Sequence, residues 1–194
     1  MCCLTIIHVL LICCFNILLS CNNKEFKTDS FYFSRQNKTI EIVIDKNFNL
    51  MFFDSTNLDS SYYIDLLYRH ETIKYLQHNL VSKYIYPKEI ENLNDITNEK
   101  IRCENLSKNH MVLKVLMCGI YNLNDRHVYC SGAVIKPPGN YIEYIGSYID
   151  YTDTTEIRLI TSCSDFLLDT AIIKKAHFDF LKNVNIIKGR VTTK

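Results

Sequence analysis

Cysteine is the residue type with the most chemistry available in this chain, which has nine among 194 residues. Five of them stand near the start: Cys2, Cys3, Cys13, Cys14 and Cys21. The other four stand in the C-terminal half: Cys103, Cys118, Cys130 and Cys163. An even number of cysteines predicts disulfides if the chain is exported to an oxidising compartment. We therefore expect these four to form two bridges, and the sequence leaves all three pairings open.

A metal site or a catalytic thiol is the alternative use of the same residues. Cys118, Cys130, His110 and His127 would offer the mixed sulfur and nitrogen ligands that zinc takes. The chain has no CxxC pair, however, and His127 with Cys130 forms a single short pair. A nucleophilic Cys130 beside His127 would also need a third group to orient the imidazole, and no local motif supplies one. We therefore predict no metal and no other cofactor.

Carboxylates and tyrosines cluster further along the chain. Asp150, Asp153 and Glu156 offer oxygen ligands for calcium, but the glycine and the spacing of a calcium loop are missing. We interpret this segment as a solvated turn. Four tyrosines precede it or fall within it: Tyr141, Tyr144, Tyr148 and Tyr151. Their rings would suit a binding face, because tyrosine joins an apolar body to a polar tip, although a structural strand is the interpretation that we favour.

Sequence motifs of enzymes are missing from the chain. It contains no phosphate-binding loop, no dinucleotide fingerprint, no HExxH and no GxSxG. A protein without enzymatic activity is therefore favoured. An envelope hydrolase stays as an alternative, with Cys130 and His127, or the cluster around Asp150, as its site.

An apolar run from Leu4 to Leu19 begins the chain, and no Lys, Arg, Asp or Glu occurs before Lys24. As a helix, a run of this length would extend about 24 Å, whereas the hydrocarbon core of a bilayer is about 30 Å thick. The run therefore fits a secretory signal peptide that ends at Ser20 better than a spanning helix.

The end of this run, Leu18-Leu19-Ser20-Cys21, resembles the lipobox of bacterial lipoproteins. The resemblance implies that the leader is removed between Ser20 and Cys21. It also implies that Cys21 carries diacylglycerol on its sulfur and a further acyl chain, such as palmitate, on its new amino terminus. Asn22 stands where some lipoproteins of the inner membrane have Asp, which implies an outer-membrane location. Membrane lipid is then the implied partner, together with an unknown envelope protein or ligand.

Two other interpretations of the leader remain open. The run is also consistent with an ordinary signal peptide that happens to precede a cysteine, or with an uncleaved anchor. A secreted binding glycoprotein of viral or eukaryotic origin would be glycosylated on Asn37 and Asn105, each of which opens an Asn-x-Ser/Thr sequon.

Composition limits the classes further. The formal net charge is +1 and 22% of the residues are charged, which argues against a dedicated nucleic-acid binder, because such a protein needs a basic surplus. The length suits one domain. We divide the chain into a signal peptide (1–20), a lipidated tether (21–29) and a single domain (30–194).

Short aromatic and β-branched runs predict strands on both sides of a helical region. We predict strands at 31–33, 39–44, 50–53, 111–118, 127–130, 133–136, 141–151 and 155–162. From Leu58 to Tyr84, apolar residues recur near helical spacing, and Pro87 provides a stop signal. A second helix is predicted from Ser164 to Asn183. The predicted fold is α+β, an antiparallel sheet with a central helix and a C-terminal helix, in a cell-envelope lipoprotein with a binding or structural role.

Overall fold

The computed structural model describes residues 25–33, 37–54, 57–58, 61–73, 75–84, 99–136, 140–150, 155–164 and 168–190. The predicted signal peptide, Ser20 and Cys21 lie outside these residues. β1 begins at Phe26, so residues 26–29, which we assigned to the tether, pair with β2.

Strands dominate the described residues. In chain order they are β1 (Phe26–Phe33), β2 (Lys38–Asp45), β3 (Phe48–Asp54), β4 (Asn57–Leu58), β5 (Ser61–His70), β6 (Leu76–Tyr84), β7 (Val112–Leu123), β8 (Arg126–Ile135), β9 (Tyr141–Asp150), β10 (Thr155–Cys163) and β11 (Val184–Lys188). Helix α1 (Glu99–Lys108) precedes β7, and helix α2 (Thr170–Lys182) lies between β10 and β11.

The strands form two antiparallel sheets. The larger has the order β3-β5-β6-β10-β9-β8-β7, with β4 added beside β5. The smaller has the order β1-β2-β11. Strands that pair in the sheet, such as β5 with β6 and β7 with β8, also follow each other in the chain. Short links are sufficient to join antiparallel strands in this way.

Helix α2 lies on one face of the larger sheet, which we call the inner face. The helix contacts β6, β9 and β10 there, and it also contacts β2 of the smaller sheet. Ile173, His177, Phe180 and Leu181 are its buried residues and recur at helical spacing along one side. The side chain of Asp169 accepts a hydrogen bond from the amide of Ala171 at 2.9 Å and caps its first turn. The predicted C-terminal helix is thus confirmed, although it begins after Ser164.

Helix α1 lies at the opposite, outer face of the larger sheet, where it contacts β7. A disulfide between Cys103 of α1 and Cys118 of β7 joins the two elements. Cys130 and Cys163 are buried free thiols, so the expected second bridge is not formed. The reason is their placement on β8 and β10, which β9 separates. Cys130 is opposite Gly146 of β9, whereas Cys163 is opposite Ile142. That offset is far beyond the span of roughly 7 Å between Cα atoms that a disulfide can bridge.

The predicted central helix is wrong. Its described residues form the hairpin of β5 and β6, and the predicted α+β class is corrected to a fold made mainly of antiparallel strands. Every second residue of β6 from Leu76 to Ser82 is buried, including His78. Leu76 and Leu80 satisfy the helical spacing of four, but a separation of four also lies on one face of a strand. Between these two leucines the buried residue is the polar His78. A pattern of hydrophobic residues therefore does not show that buried and less buried positions alternate along β6.

The turn of this hairpin also lacks the usual sequence signals. Tyr75 adopts a positive φ of 64°, which is uncommon for a residue other than glycine or asparagine. His70 stabilises the turn, because its Nδ1 accepts hydrogen bonds from the amides of Thr72 and Ile73 at 3.2 and 3.0 Å. Among the described residues, no helix is long and apolar enough to cross a bilayer.

Candidate functional site

Three neighbouring strands present polar side chains in one row on the outer face of the larger sheet. Ser147 of β9 is opposite Arg158 of β10 on one side and Tyr129 of β8 on the other. Residues directly opposite each other in a ladder project to the same face, so these three side chains form the floor of a site. Side chains in such a row contact one another across the strands.

Helix α1 places an arginine above this row. The Nη2 of Arg102 donates a hydrogen bond to the Oγ of Ser147 at 2.9 Å. The Cζ of Arg102 also lies 4.9 Å from the centroid of the Tyr129 ring, within the range of a cation–π contact. Because the Cys103–Cys118 bridge fixes the adjacent turn of α1 to β7, the position of Arg102 over the sheet is set covalently as well as by packing.

A second arginine in the row has a carboxylate partner of its own. Nε and Nη2 of Arg158 donate to the two carboxylate oxygens of Glu156 at 2.8 and 3.0 Å. The two residues are two positions apart on β10 and therefore share a face. The side chain of Glu156 is only 5% exposed, whereas that of Arg158 is 43% exposed. The carboxylate is thus a buried anchor, and the arginine extends from it toward solvent.

These side chains line a cleft of about 320 Å³ between α1 and the sheet. Asn105 and Leu106 line it from the helix, and Ser131 lines it from β8. Burial lowers the pKa of Arg102; nearby Glu156 opposes this shift and Arg158 adds to it. Guanidinium groups that have lost part of their water bind carboxylates and phosphates well, because their paired N–H groups match two oxygens at once.

The structure does not assemble the catalytic pair considered from the sequence. Cys130 is buried, and burial raises the pKa of its thiol to about 12, so it is protonated and a poor nucleophile. His127 is exposed and three residues away on the same strand, which places it on the other face. Cys118 is in the disulfide and cannot ligate zinc, and His110 is exposed. Among the residues that the structure describes, no three His, Cys, Asp or Glu side chains converge on a metal position.

The other sequence candidates are distributed as follows. Glu156 belongs to the cleft, and Asp153 lies outside the described residues. Tyr144 and Tyr148 are buried and belong to the core, which agrees with their structural interpretation. Tyr141 lines a separate polar pocket with Glu143 and Arg69.

The two sequon asparagines are both exposed, Asn37 in the β1–β2 turn and Asn105 on α1. Nothing in the described residues bears on their glycosylation, which stays a prediction.

Sequence reasoning missed Arg102 and Arg158. Arg158 and Glu156 alternate with the buried Ile157 and Leu159, and this period-two pattern is the signal that would have placed the charges together on one face. No comparable signal marks Arg102, because α1 buries no residue and has no apolar stripe.

Comparisons with known proteins bear on the fold. No protein-family model matches this chain. No curated protein sequence matches it. Among solved structures, it is similar to cyanobacterial PsbP (CyanoP) from Synechocystis sp. PCC 6803, with a TM-score of 0.52 and 8% identity over 87% of this chain and 98% of that chain. At this identity the similarity concerns the fold alone.

A weaker superposition relates it to LpqN, a protein involved in cell envelope biogenesis of Mycobacterium tuberculosis. The TM-score is 0.44 and the identity 9%, over 84% of this chain and 91% of that chain.

Proposed function

We propose that this chain is an exported binding module, anchored by lipid on Cys21 to the cell envelope, whose cleft beneath α1 takes a ligand with a carboxylate or phosphate group. The observation that carries this proposal is the half-buried guanidinium of Arg102, held over Ser147 and Tyr129 beside the Arg158–Glu156 pair.

The charges of the cleft favour an anionic group. Two guanidiniums, of Arg102 and Arg158, face one buried carboxylate, that of Glu156. Glu99 also lines the cleft, but it is an exposed residue, so water and salt screen its charge. An anion between the arginines would therefore balance the inner part of the cleft, and Ser131 and Asn105 would supply further hydrogen bonds to it.

Support for the anchor comes from the Leu18-Leu19-Ser20-Cys21 motif and from the position of β1 in the chain. β1 begins at Phe26, five residues after Cys21. A chain this short would keep the module close to the membrane that holds the lipid. The outer-membrane location is part of this proposal, and it rests on Asn22.

The ligand proposal is tested by thermal unfolding in the presence of simple anions. We expect inorganic phosphate or acetate, compared with chloride at equal ionic strength, to raise the unfolding midpoint of the wild type. A ligand at one hundred times its Kd stabilises the folded state by about 2.7 kcal/mol. The Arg102→Gln variant should lose this rise, and Arg102→Lys should keep only part of it, because lysine keeps the charge without the fork of donors.

The matched control is Arg69→Gln, since Arg69 lies in the separate pocket with Tyr141 and Glu143. This variant should respond to the anions like the wild type. If Arg102→Gln and wild type respond equally, the anion does not bind in this cleft and the proposal is wrong.

A further inference from the structure

Apolar side chains are exposed near the start of β1. Phe26, the first residue of β1, is 48% exposed, and Ile172, in the first turn of α2, is also 48% exposed. Both line the rim of a pocket of about 120 Å³ between the smaller sheet, β3 and α2. Phe48 and Phe180, which are buried, form part of its floor. The opening of this pocket is thus continuous with exposed apolar surface.

The β5–β6 turn extends this surface. Ile73, in this turn, lines the same pocket. We call Phe26, Ile73 and Ile172 the tether-end surface.

Backbone hydrogen bonds fix these parts beside one another. The amide of Lys46 donates to the carbonyl of Glu25 at 2.8 Å, and the amide of Glu71 donates to the carbonyl of Asn47 at 2.8 Å. The β2–β3 turn therefore connects the start of β1 to the β5–β6 turn.

We propose that the tether-end surface rests on the lipid bilayer, with Phe26 and Ile172 at the level of the headgroups. This inference depends on the proposed lipid on Cys21. Five residue steps separate Cys21 from Phe26, and an extended chain covers at most about 3.5 Å per step, or roughly 17 Å. A lipidated Cys21 would hold Phe26 within that distance of the membrane surface, and the part of the domain nearest the membrane would be the tether-end surface.

The chemistry of the surface suits a bilayer interface without a demand for anionic lipid. Phenylalanine and aliphatic side chains are favoured at the boundary of headgroups and acyl chains. Two of the nearby cations have carboxylate partners: Lys46 with Glu25 at 2.7 Å, and Lys175 with Asp179 at 3.1 Å. Paired charges add little attraction to a negative surface, so we expect the contact to depend mainly on the apolar side chains.

The chain has no tryptophan, which makes a single introduced indole a clean reporter. The acylated full-length product, carrying Ile172→Trp, is reconstituted into phosphatidylcholine vesicles. We expect its emission to shift to shorter wavelength and to be quenched by brominated phosphatidylcholine. Phe26→Trp is a second reporter at the same surface and covers the case in which one variant folds poorly.

The matched control is Ile120→Trp. Ile120 is also an exposed isoleucine, at 38%, but it lies toward the β7–β8 turn. In that turn the side chain of Asn124 donates to the carbonyl of Lys182 at 2.7 Å, at the far end of α2 from Ile172. This reporter should show neither the shift nor the quenching.

The possible results separate the surface from its anchor. If the protein floats with the vesicles but Ile172→Trp and Phe26→Trp are quenched no more than Ile120→Trp, the lipid anchor stands and the surface proposal is overturned. If the protein carries no acyl chain and does not associate with the vesicles, both proposals are overturned. Quenching at Ile172→Trp and Phe26→Trp alone supports the surface.

Discussion

At the scale of single residues, Thr161 joins two buried imidazoles. Its Oγ1 lies 2.8 Å from Nδ1 of His78 and 3.0 Å from Nδ1 of His177. A hydroxyl has one proton to donate, so one imidazole accepts from Thr161 and the other donates its Nδ1–H to it. The His78 ring is also stacked between Phe48 and Phe180, with centroid distances of 4.3 and 4.4 Å. Neutral imidazoles suit this environment, whereas a charged one would lack solvation.

The pKa values give this arrangement a consequence for stability. Burial lowers the pKa of His177 to about 3, and burial together with the neighbouring His177 and His70 lowers the pKa of His78 well below its usual value. In the unfolded chain both take up protons below about pH 6.5. Because the unfolded state then binds more protons, the free energy of unfolding decreases as the pH is lowered, by up to about 1.4 kcal/mol per pH unit for each imidazole. The loss begins near the unfolded pKa and continues toward the folded one.

We therefore predict that His177→Gln reduces the pH dependence of unfolding. Urea denaturation at pH 7 and pH 5 should give the wild type the larger loss of stability between the two values. His110→Gln, which changes an exposed histidine, should behave like the wild type. Equal losses in His177→Gln and wild type would contradict the assignment.

The cysteines allow a second prediction at this scale. Alkylation of denatured, unreduced protein should modify Cys130 and Cys163 but neither Cys103 nor Cys118. If all four residues are protected, the expectation of two bridges holds instead.

Replacing both Cys103 and Cys118 by Ala should lower the free energy of unfolding, measured by urea denaturation, by about 3 kcal/mol. The reason is that a bridge across a loop of about 15 residues lowers the entropy of the unfolded chain by that much.

The residues of the cleft show why sequence reasoning located so little of the candidate site. Glu156 was singled out, but as part of a carboxylate turn rather than as the partner of Arg158. Arg102 reaches Ser147, which is 45 positions away in the chain, only because α1 crosses the outer face of the sheet. Neither the spacing of residues in the sequence nor the composition predicts that α1 crosses this face. The site can therefore be recognised only when the strand order is known.

At the scale of elements, prediction succeeded where the apolar pattern and the local conformation agree. β2, β9 and β10 were predicted at close to their observed positions, because each combines a regular burial pattern with clear end signals. The helix α2 was predicted with nearly its observed end, but it begins at Thr170 rather than at Ser164. The β5–β6 hairpin failed for the opposite reason. Its buried face includes His78 and Ser82, and its turn uses His70 and Tyr75 in place of glycine or proline.

Packing of α2 on β9 leads to a prediction for Gly146. A Cβ added there would lie 2.4 Å from Cδ2 of Leu181, whereas one added at Gly119 would lie 3.1 Å from the end of the flexible Glu99 side chain. We expect Gly146→Ala to destabilise the protein by about 1–3 kcal/mol and Gly119→Ala to cost much less.

A double-mutant cycle identifies the contact responsible. In a Leu181→Ala background, most of the cost of Gly146→Ala should disappear, because the clashing side chain has been shortened. Urea denaturation of the four proteins measures the coupling. Additive costs would show that α2 does not pack on β9 through this pair.

At the scale of the whole molecule, one hydrophobic core connects the two sheets. Ile40 and Ile42 of the smaller sheet, Leu80 and Leu159 of the larger and Phe180 of α2 belong to the same buried cluster. The outer face of the larger sheet, by contrast, carries the cleft and its charges. The residues that stabilise the fold are therefore not the ones that we propose to bind the ligand. Changes to Arg102 should affect ligand binding more than folding.

The position of that cleft relative to a membrane depends on Cys21. If the lipobox resemblance holds, the mature chain begins at Cys21. Two or three acyl chains would then hold it, and each buried CH₂ contributes about 0.8 kcal/mol, so that two chains anchor stably where one is marginal. The motif lies outside the described residues, and the anchor therefore requires a chemical test.

Replacing Cys21 by Ser separates the three interpretations of the leader. For a lipoprotein, Cys21→Ser removes the sulfur that accepts diacylglycerol, so we expect an unprocessed precursor with its leader attached and a normally folded domain. For an ordinary signal peptide, the replacement would have almost no effect, and both the wild type and the variant would be soluble. For an uncleaved anchor, both would stay in the membrane without acyl mass. Intact mass and detergent partitioning of wild type and variant distinguish these results, and a mature, water-soluble wild type without acyl mass would exclude the lipid anchor.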